Sequence, residues 1–285
     1  MGITYSLNQS TIAQDYTLDA NSPFLKITSR INWQETQVLL KADFPLNTSA
    51  QTATYEIPFG AITRTTQPQT KAEQAQWEVP ALRWADLGDH IFGISLMSNC
   101  KHGFDATTNH LRLTLLKSPI WPDPNSDQGW HYFTYAIYPH TGTWQSARTV
   151  HHARELNISS TIHPIDAQPI DAQPIKAQSI KHKQTPKTIY PTSSSRHSFL
   201  HIPNPNLILS AFKPTEDNPN EFILRCYEAH GEPTTLAMTA TTCGLPQLDP
   251  SESKRVNLLE TEMKESAHSI QPWQIVTHRL PISQE

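Results

Sequence analysis

Alternation of apolar and polar residues at period two constrains this chain more than any other feature. Leu25, Ile27, Ser29, Ile31 and Trp33 fall on one side of an extended segment, with Lys26, Thr28, Arg30 and Asn32 on the other. The same period runs through Ile12, Gln14, Tyr16 and Leu18, through Val38, Leu40, Ala42 and Phe44, through Tyr55, Ile57 and Phe59, and through Leu111, Leu113 and Leu115. Successive side chains of a strand point to opposite faces, so this pattern predicts half-buried antiparallel strands. Asn21-Ser-Pro23, Pro45 to Ser49 and Gly60 supply the turns between them. From Trp130 to Tyr138 both faces are aromatic or apolar, which predicts a strand held between two layers.

Helical alternatives find little support. Lys71 to Trp77 predicts about two turns without an apolar stripe and Leu258 to Glu265 a short surface helix, and neither could carry a helical fold. The chain has 23 prolines against 9 glycines. That balance favours strand edges and loop corners over long helices.

Near residue 160 the character changes. Ile165-Asp-Ala-Gln-Pro169 recurs as Ile170-Asp-Ala-Gln-Pro174 and decays through Ile175-Lys-Ala-Gln-Ser179. A five-residue Pro/Gln repeat cannot bury a core, and its prolines forbid a helix. The expected organisation is therefore a large β-sandwich over 1–158, a disordered linker or insertion over 159–197, and a small β-sandwich over 198–285. Leu207-Ile-Leu209, Phe222 to Tyr227, Leu236 to Ala240 and Ile275 to His278 supply short strands for the last unit.

Several function classes are disfavoured by simple counts. The net charge of −4 leaves no basic footprint for nucleic acid or an anionic membrane. Three scattered cysteines, Cys100, Cys226 and Cys243, make no disulfide framework and point to a reducing, cytoplasmic compartment. The N-terminus lacks the pattern of a signal peptide, and no apolar run reaches the ~20 residues of a membrane span. The fourteen histidines are scattered, with His151 and His152 adjacent and His102 and His110 far from either. They read as solvated or packing residues, because a zinc site needs three or four converging ligands. Asp105, Asp123 and Asp127 lie close in sequence, but Asp123 and Asp127 flank Pro124 and Asn125, where turn chemistry accounts for them. Neither a nucleophile elbow nor a phosphate-cradling loop occurs. Trp121 and Trp144 stand in Pro- and Gly-containing turns and are the candidate surface platforms for stacking on sugars.

Ordered motifs then resemble a known family. Ile31-Asn-Trp-Gln-Glu-Thr-Gln-Val-Leu-Leu-Lys-Ala-Asp-Phe-Pro45, Thr54-Tyr-Glu-Ile-Pro-Phe-Gly60 and the segment Trp77 to Leu87 come first. Asn99-Cys-Lys-His-Gly-Phe-Asp105, the block Pro122 to Trp144, Asn204 to Pro214 and Leu224 to Gly231 follow. Together they resemble the C-terminal β region of the α-mannosidases of glycoside hydrolase family 38. His102, Phe104 and Lys117 stand where relatives more often carry Tyr, Tyr and Arg.

The resemblance implies an all-β fold, a large supersandwich-like antiparallel β-sandwich followed by a smaller one, that packs on an N-terminal catalytic barrel and rims its cleft. It implies Asn99, Lys101, His102, Asp105 and Lys117 as cleft-rim candidates. In the family, zinc and an aspartate nucleophile on that barrel cleave α-mannosides with retention. The signature His-x-Asp-x-x-Trp is not in this chain, so no catalytic residue and no metal ligand is assigned here, and zinc is expected in the barrel. A split gene, a frameshift or an artificial boundary would each produce such a chain. The expected partners are that catalytic half and an α-mannoside or oligosaccharide, with no nucleic acid and no membrane. A bare barrel-facing surface predicts self-association as a homo-oligomer. A stand-alone carbohydrate-binding sandwich and a scaffold module built on the Pro/Gln repeat are the rival readings.

Overall fold

A computed structural model describes residues 1–158, 200–218, 220–240, 252–264 and 269–282. The expected linker, 159–197, lies outside them. The N-terminal unit is formed by β1 (Gly2–Leu7), β2 (Ser10–Thr17), β3 (Leu25–Trp33), β4 (Leu40–Pro45), β5 (Thr52–Ile57), β6 (Gly60–Thr65), β7 (Val79–Pro80), β8 (Trp84–Gly88), β9 (Phe92–Ser98), β10 (Gly103–Thr107), β11 (His110–Leu116) and β12 (Gly129–Thr141). Eight of these form one sheet in the order β1-β2-β3-β12-β9-β8-β5-β6, and four form a second in the order β4-β11-β10-β7. Every pairing is antiparallel.

The two sheets close on one core. Ile27, Ile31, Trp33, Leu87, Leu96, Phe133 and Tyr135 from the large sheet meet Phe104, Leu111, Leu113 and Leu115 from the small one. The inward residues of β3 and β11 are those that the period-two pattern selects. Trp33 also donates its indole N–H to Ser118, which satisfies the one polar atom of a fully buried ring.

The smaller unit comprises β13 (Leu200–His201), β14 (Leu207–Pro214), β15 (Glu221–Glu228), β16 (Thr234–Thr235), β17 (Thr239–Ala240), β18 (Lys254–Val256), β19 (Ser269–Ile270) and β20 (Ile275–Pro281). A four-stranded sheet, β14-β15-β20-β18, is accompanied by two ribbons, β13-β17 and β16-β19. Leu207, Leu224, Cys226, Val276 and Leu280 of the sheet pack with Leu236 and Ile270 beside the ribbons. The all-β class is therefore observed.

Three local expectations change. Helix α1 spans only Lys71–Gln74, one turn closed by a capping box between Thr70 and Glu73. Leu258 to Lys264 makes turns, because the Asn257 side chain accepts the amides of Leu259 and Thr261 at 2.9 and 3.0 Å. A second helix, α2 (Thr149–Asn157), was not expected. It lies on the outer face of the eight-stranded sheet, against β8 and β9.

Candidate functional site

The strand β12 organises the region in which several cleft-rim candidates fall. Phe133 and Tyr135 point into the core, and residues of the other parity point to the outer face. Beyond Thr134 the outer face is covered: Ala136 and Tyr138 pack with Trp84, Met97, Trp144, Val150 and Ala153. Before it the face is open, and Trp130 and Tyr132 are 60% and 68% exposed. The expectation of a strand buried on both faces thus holds only for its C-terminal part. A second layer covers one half of the strand and leaves the other half to solvent.

Strand β9 ends at Ser98, opposite Tyr135. There Ser98 Oγ accepts the amide of Lys101 at 2.9 Å. Asn99 continues the pairing by side chain: its Oδ1 accepts the Thr134 amide at 3.0 Å and its own amide donates to the Thr134 carbonyl at 3.1 Å. The Lys101 ammonium lies 4.6 Å from the centre of the Phe133 ring, a cation–π contact at the mouth of the sandwich. The Lys117 and Ser118 amides donate to Asp127 Oδ2 at 2.9 and 3.0 Å. Partial burial works against ionisation of Asp127, but these two donations prevail and hold its carboxyl below the usual range. Asn99 thus meets β12 at Thr134, Lys101 lies against the inward-facing ring of Phe133, and Lys117 joins the loop that leads into the strand through Asp127.

His102 and Asp105 do not join them. His102 Nδ1 lies 2.9 Å from the Leu82 carbonyl and 3.1 Å from that of Ala81, beside β8. Asp105 is 3% exposed on the outer face of the four-stranded sheet. Its carboxylate is held by Lys41 and by Arg112 Nε, the latter at 2.5 Å. Lys41 also reaches Glu78 at 3.2 Å and lies 5.1 Å from the Trp77 ring centre. Phe104 points into the core, so its neighbour on β10 must point outward, and ion pairing compensates the burial of its charge. Asp105 is a structural anchor there, not an open rim carboxylate.

The two tryptophans expected on the surface also separate. Trp121 is 83% exposed, next to the cis Trp121–Pro122 bond. Trp144 is only 8% exposed. Its ring lies 4.9 Å from that of Trp84 and 5.6 Å, edge-on, from His230 of the smaller unit. Trp144 is corrected from surface platform to core of the joint between the two units, because its turn folds back under α2.

The joint contains polar residues that no local motif announces. Asp86 Oδ2 accepts Ser95 Oγ at 2.6 Å and His140 Nε2 at 2.7 Å, and Ser95 Oγ is 2.7 Å from Thr149 Oγ1 at the start of α2. Glu56 and Arg83 form a paired ion contact, with Arg83 Nη2 to Glu56 Oε1 at 2.5 Å. Glu228, fully buried, accepts the amides of His230, Gly231 and Trp273 at 2.7, 2.8 and 3.0 Å. These residues pair adjacent strands and turns, and only knowledge of the strand register brings them together. The buried carboxylates Glu35, Glu56, Asp86, Asp105 and Glu228 are each engaged by cations, hydroxyls, imidazole or amides of the protein itself. Turn chemistry likewise holds Asp123, whose Oδ1 accepts the Asn125 amide at 2.9 Å. Among the described residues no three His, Cys, Asp or Glu side chains converge as metal ligands. The residues described do not fit a zinc site. No described helix is long and apolar enough to cross a membrane.

Comparisons with known proteins bear on the whole surface. Residues 2–125 match the glycosyl hydrolases family 38 C-terminal domain, and residues 206–278 match the glycosyl hydrolases family 38 C-terminal beta sandwich domain. Alpha-mannosidase 2C1 of Homo sapiens is 34% identical over 224 residues, covering 78% of this chain and 19% of the human protein. Alpha-mannosidase G of Dictyostelium discoideum is 32% identical over 241 residues, covering 85% of this chain and 20% of that protein. The chain spans about a fifth of the length of these curated relatives. The crystal structure of an alpha-mannosidase from Enterococcus faecalis V583 superposes with a TM-score of 0.71 at 17% identity, covering 95% of this chain and 29% of that one. At that identity the superposition speaks for the fold alone.

Proposed function

We propose, on the premise that this chain belongs to the C-terminal β region of glycoside hydrolase family 38, that it is the non-catalytic support of an α-mannosidase. In this reading it packs on a zinc-bearing catalytic barrel, supplied on the same polypeptide or on another, and rims the barrel's cleft. One observation carries the reading. Both sandwiches match the family in order, while the buried carboxylates are engaged in holding those sandwiches together. A glycosidase needs an acid and a nucleophile or base free to act on the sugar.

Asn99, Lys101 and Lys117, on the loops next to β12, are the residues that this reading places toward the rim. Trp121 is the exposed ring available to a mannoside there. The reading also puts the protein in a reducing compartment such as the cytoplasm, in keeping with the exposed free thiol of Cys100. Association is the first test. A separately produced family 38 barrel, mixed with this chain, should co-elute with it in size-exclusion chromatography as a stable complex. Two independent peaks at micromolar concentrations would count against the assignment.

A further inference from the structure

A small pocket at the edge of the large sandwich holds donors that the fold leaves without acceptors. Strand β6 ends the eight-stranded sheet there, and β7 pairs only with Gly103 and Phe104, so it stops short of Asp105 and Ala106 on β10. Tyr55, Arg64, Gln76, Trp77 and Asp105 are among the residues that line the resulting cavity of about 50 Å³. Arg64 reaches it because register sets Arg64 opposite Ala53 and Ile62 opposite Tyr55, on the inward face of the sheet. An inward charge on an edge strand discourages pairing with another sheet. That accounts for an arginine here, but not for its hydrogen bonds. Arg64 Nη1 donates to Gln76 Oε1 at 2.6 Å, while among the described residues the buried Nε has no acceptor. The edge of the guanidinium formed by Nε and Nη2 is the fork with which arginine grips a carboxylate through two parallel bonds.

Tyr55 supplies the second observation. It is 4% exposed, and its hydroxyl makes no hydrogen bond to a described residue. Burial, and after it the charge of Asp105, push its phenol up to about 12, so at neutral pH it is an O–H able to donate. The acids of the lining are already engaged. Glu73 Oε2 accepts the amides of Gln69 and Thr70, each at 2.9 Å, and Asp105 is held by Lys41 and Arg112. A buried donor without an acceptor costs stability, so the cavity calls for an acceptor from outside the chain. Its size admits a few heavy atoms, whereas pockets for larger ligands run to about 300 Å³ and beyond. Water would meet these donors singly. A carboxylate meets the fork with both oxygens and balances the charge of Arg64.

From this juxtaposition we infer that the Tyr55–Arg64 pocket binds the carboxylate of a small free acid such as formate or acetate. The two carboxylate oxygens accept hydrogen bonds from the open edge of Arg64, and one of them also accepts the Tyr55 O–H. Bound there, the anion ties the edge strand β6 to the core of the sandwich and, through Gln76, to the segment that follows α1.

Titration of the full chain with sodium formate, sodium acetate and sodium chloride at matched ionic strength tests the site. The Nε–H resonance of Arg64 in proton–nitrogen spectra should shift and saturate with formate or acetate, at the millimolar concentrations that so small a ligand requires, and not with chloride. The melting temperature should rise by about 2–4 °C at saturation. Tyr55→Phe should weaken binding about tenfold. Because it deletes only an unpaired hydroxyl, it should melt with the parent when no acid is present. Arg64→Lys keeps the charge but lacks the fork, and should abolish the melting response. Equal responses to chloride and to the carboxylates, or responses unchanged in both variants, would overturn the site. So would an Arg64 resonance that no carboxylate moves, which would leave the cavity to water. Tighter binding of N-acetylglutamate amide than of acetate would keep the carboxylate chemistry and overturn the free acid as its source, in favour of an acidic side chain of another protein.

Discussion

The carboxylate of Glu228 accepts the backbone amide of Trp273 at 3.0 Å, across 45 residues of chain. The same oxygen accepts Gly231, and the other accepts His230 and Asn206 Nδ2. One fully buried acid thus fixes the turn after β15 and the turn before β20. Glu228→Ala would leave the amides of His230, Gly231 and Trp273 and the side-chain amide of Asn206 without their acceptor, at a cost of about 3 kcal/mol or more. Glu228→Gln should fall in between, since its amide nitrogen would face donors. Chemical denaturation of the three proteins gives the order.

Trp273 is also a wedge. Its ring lies where a Cβ on Gly60 of the larger unit and on Gly231 of the smaller would come within 3.2 and 2.7 Å. Gly231 has φ +80°, and Gly129, with φ +100°, has no described residue within 4 Å of such a Cβ. Gly129→Ala should cost about 1 kcal/mol through backbone strain alone. Gly231→Ala should cost clearly more, about 2–4 kcal/mol, because strain and collision add. Equal losses in denaturation midpoint would show that the wedge is not a tight contact.

Acid should loosen the joint. Burial pushes the imidazoles of His151 and His230 below their ordinary value of 6.5, and among the described residues the buried Nε2 of His230 has no hydrogen-bond partner. The unfolded chain therefore takes up protons near pH 6.5 while the folded chain stays neutral there, so stability is present above that pH and falls as pH drops through it. Melting temperature should decline from pH 7.5 to 5.5, and His230→Gln together with His151→Gln should flatten the decline. Glu228, Glu232, Arg148, Glu155 and His152 lie within electrostatic reach of this pair.

The two turn tryptophans should behave oppositely. Trp144→Ala removes a ring packed between Trp84 and His230, and should cost about 3–5 kcal/mol. Trp121→Ala alters a ring in solvent, and should change stability by no more than about 0.5 kcal/mol. Similar melting temperatures for the two variants would refute the burial of Trp144 in the joint.

Much of the strand architecture was legible because period two is a local signal. Ile27, Ile31, Trp33, Leu111 and Leu113 sit inside, where alternation puts them. What periodicity cannot report is coverage by a distant segment. Trp130 and Tyr138 share one parity of the same strand, yet the first is open and the second lies under α2. That helix was invisible in the sequence because Thr149, Val150 and Ala153 are its buried residues, too few for an apolar stripe. Asp105 fell among the rim candidates by position in a motif, but the register of β10 against β11 aims it at Arg112 on the opposite side of the sandwich. Asp86, His140 and Glu228 were missed for the same reason. Their partners are remote in sequence and meet only through strand pairing.

In the proposed function this chain supports an α-mannosidase and leaves the chemistry to the barrel. Zinc-supplemented hydrolysis of an aryl α-mannoside, measured for the purified chain alone, for a family 38 barrel alone and for the two mixed, tests it most directly. The account predicts no turnover by the chain alone and a rate in the mixture well above that of the barrel alone. Appreciable zinc-dependent turnover by the chain alone, or a mixture no faster than the barrel, would contradict it.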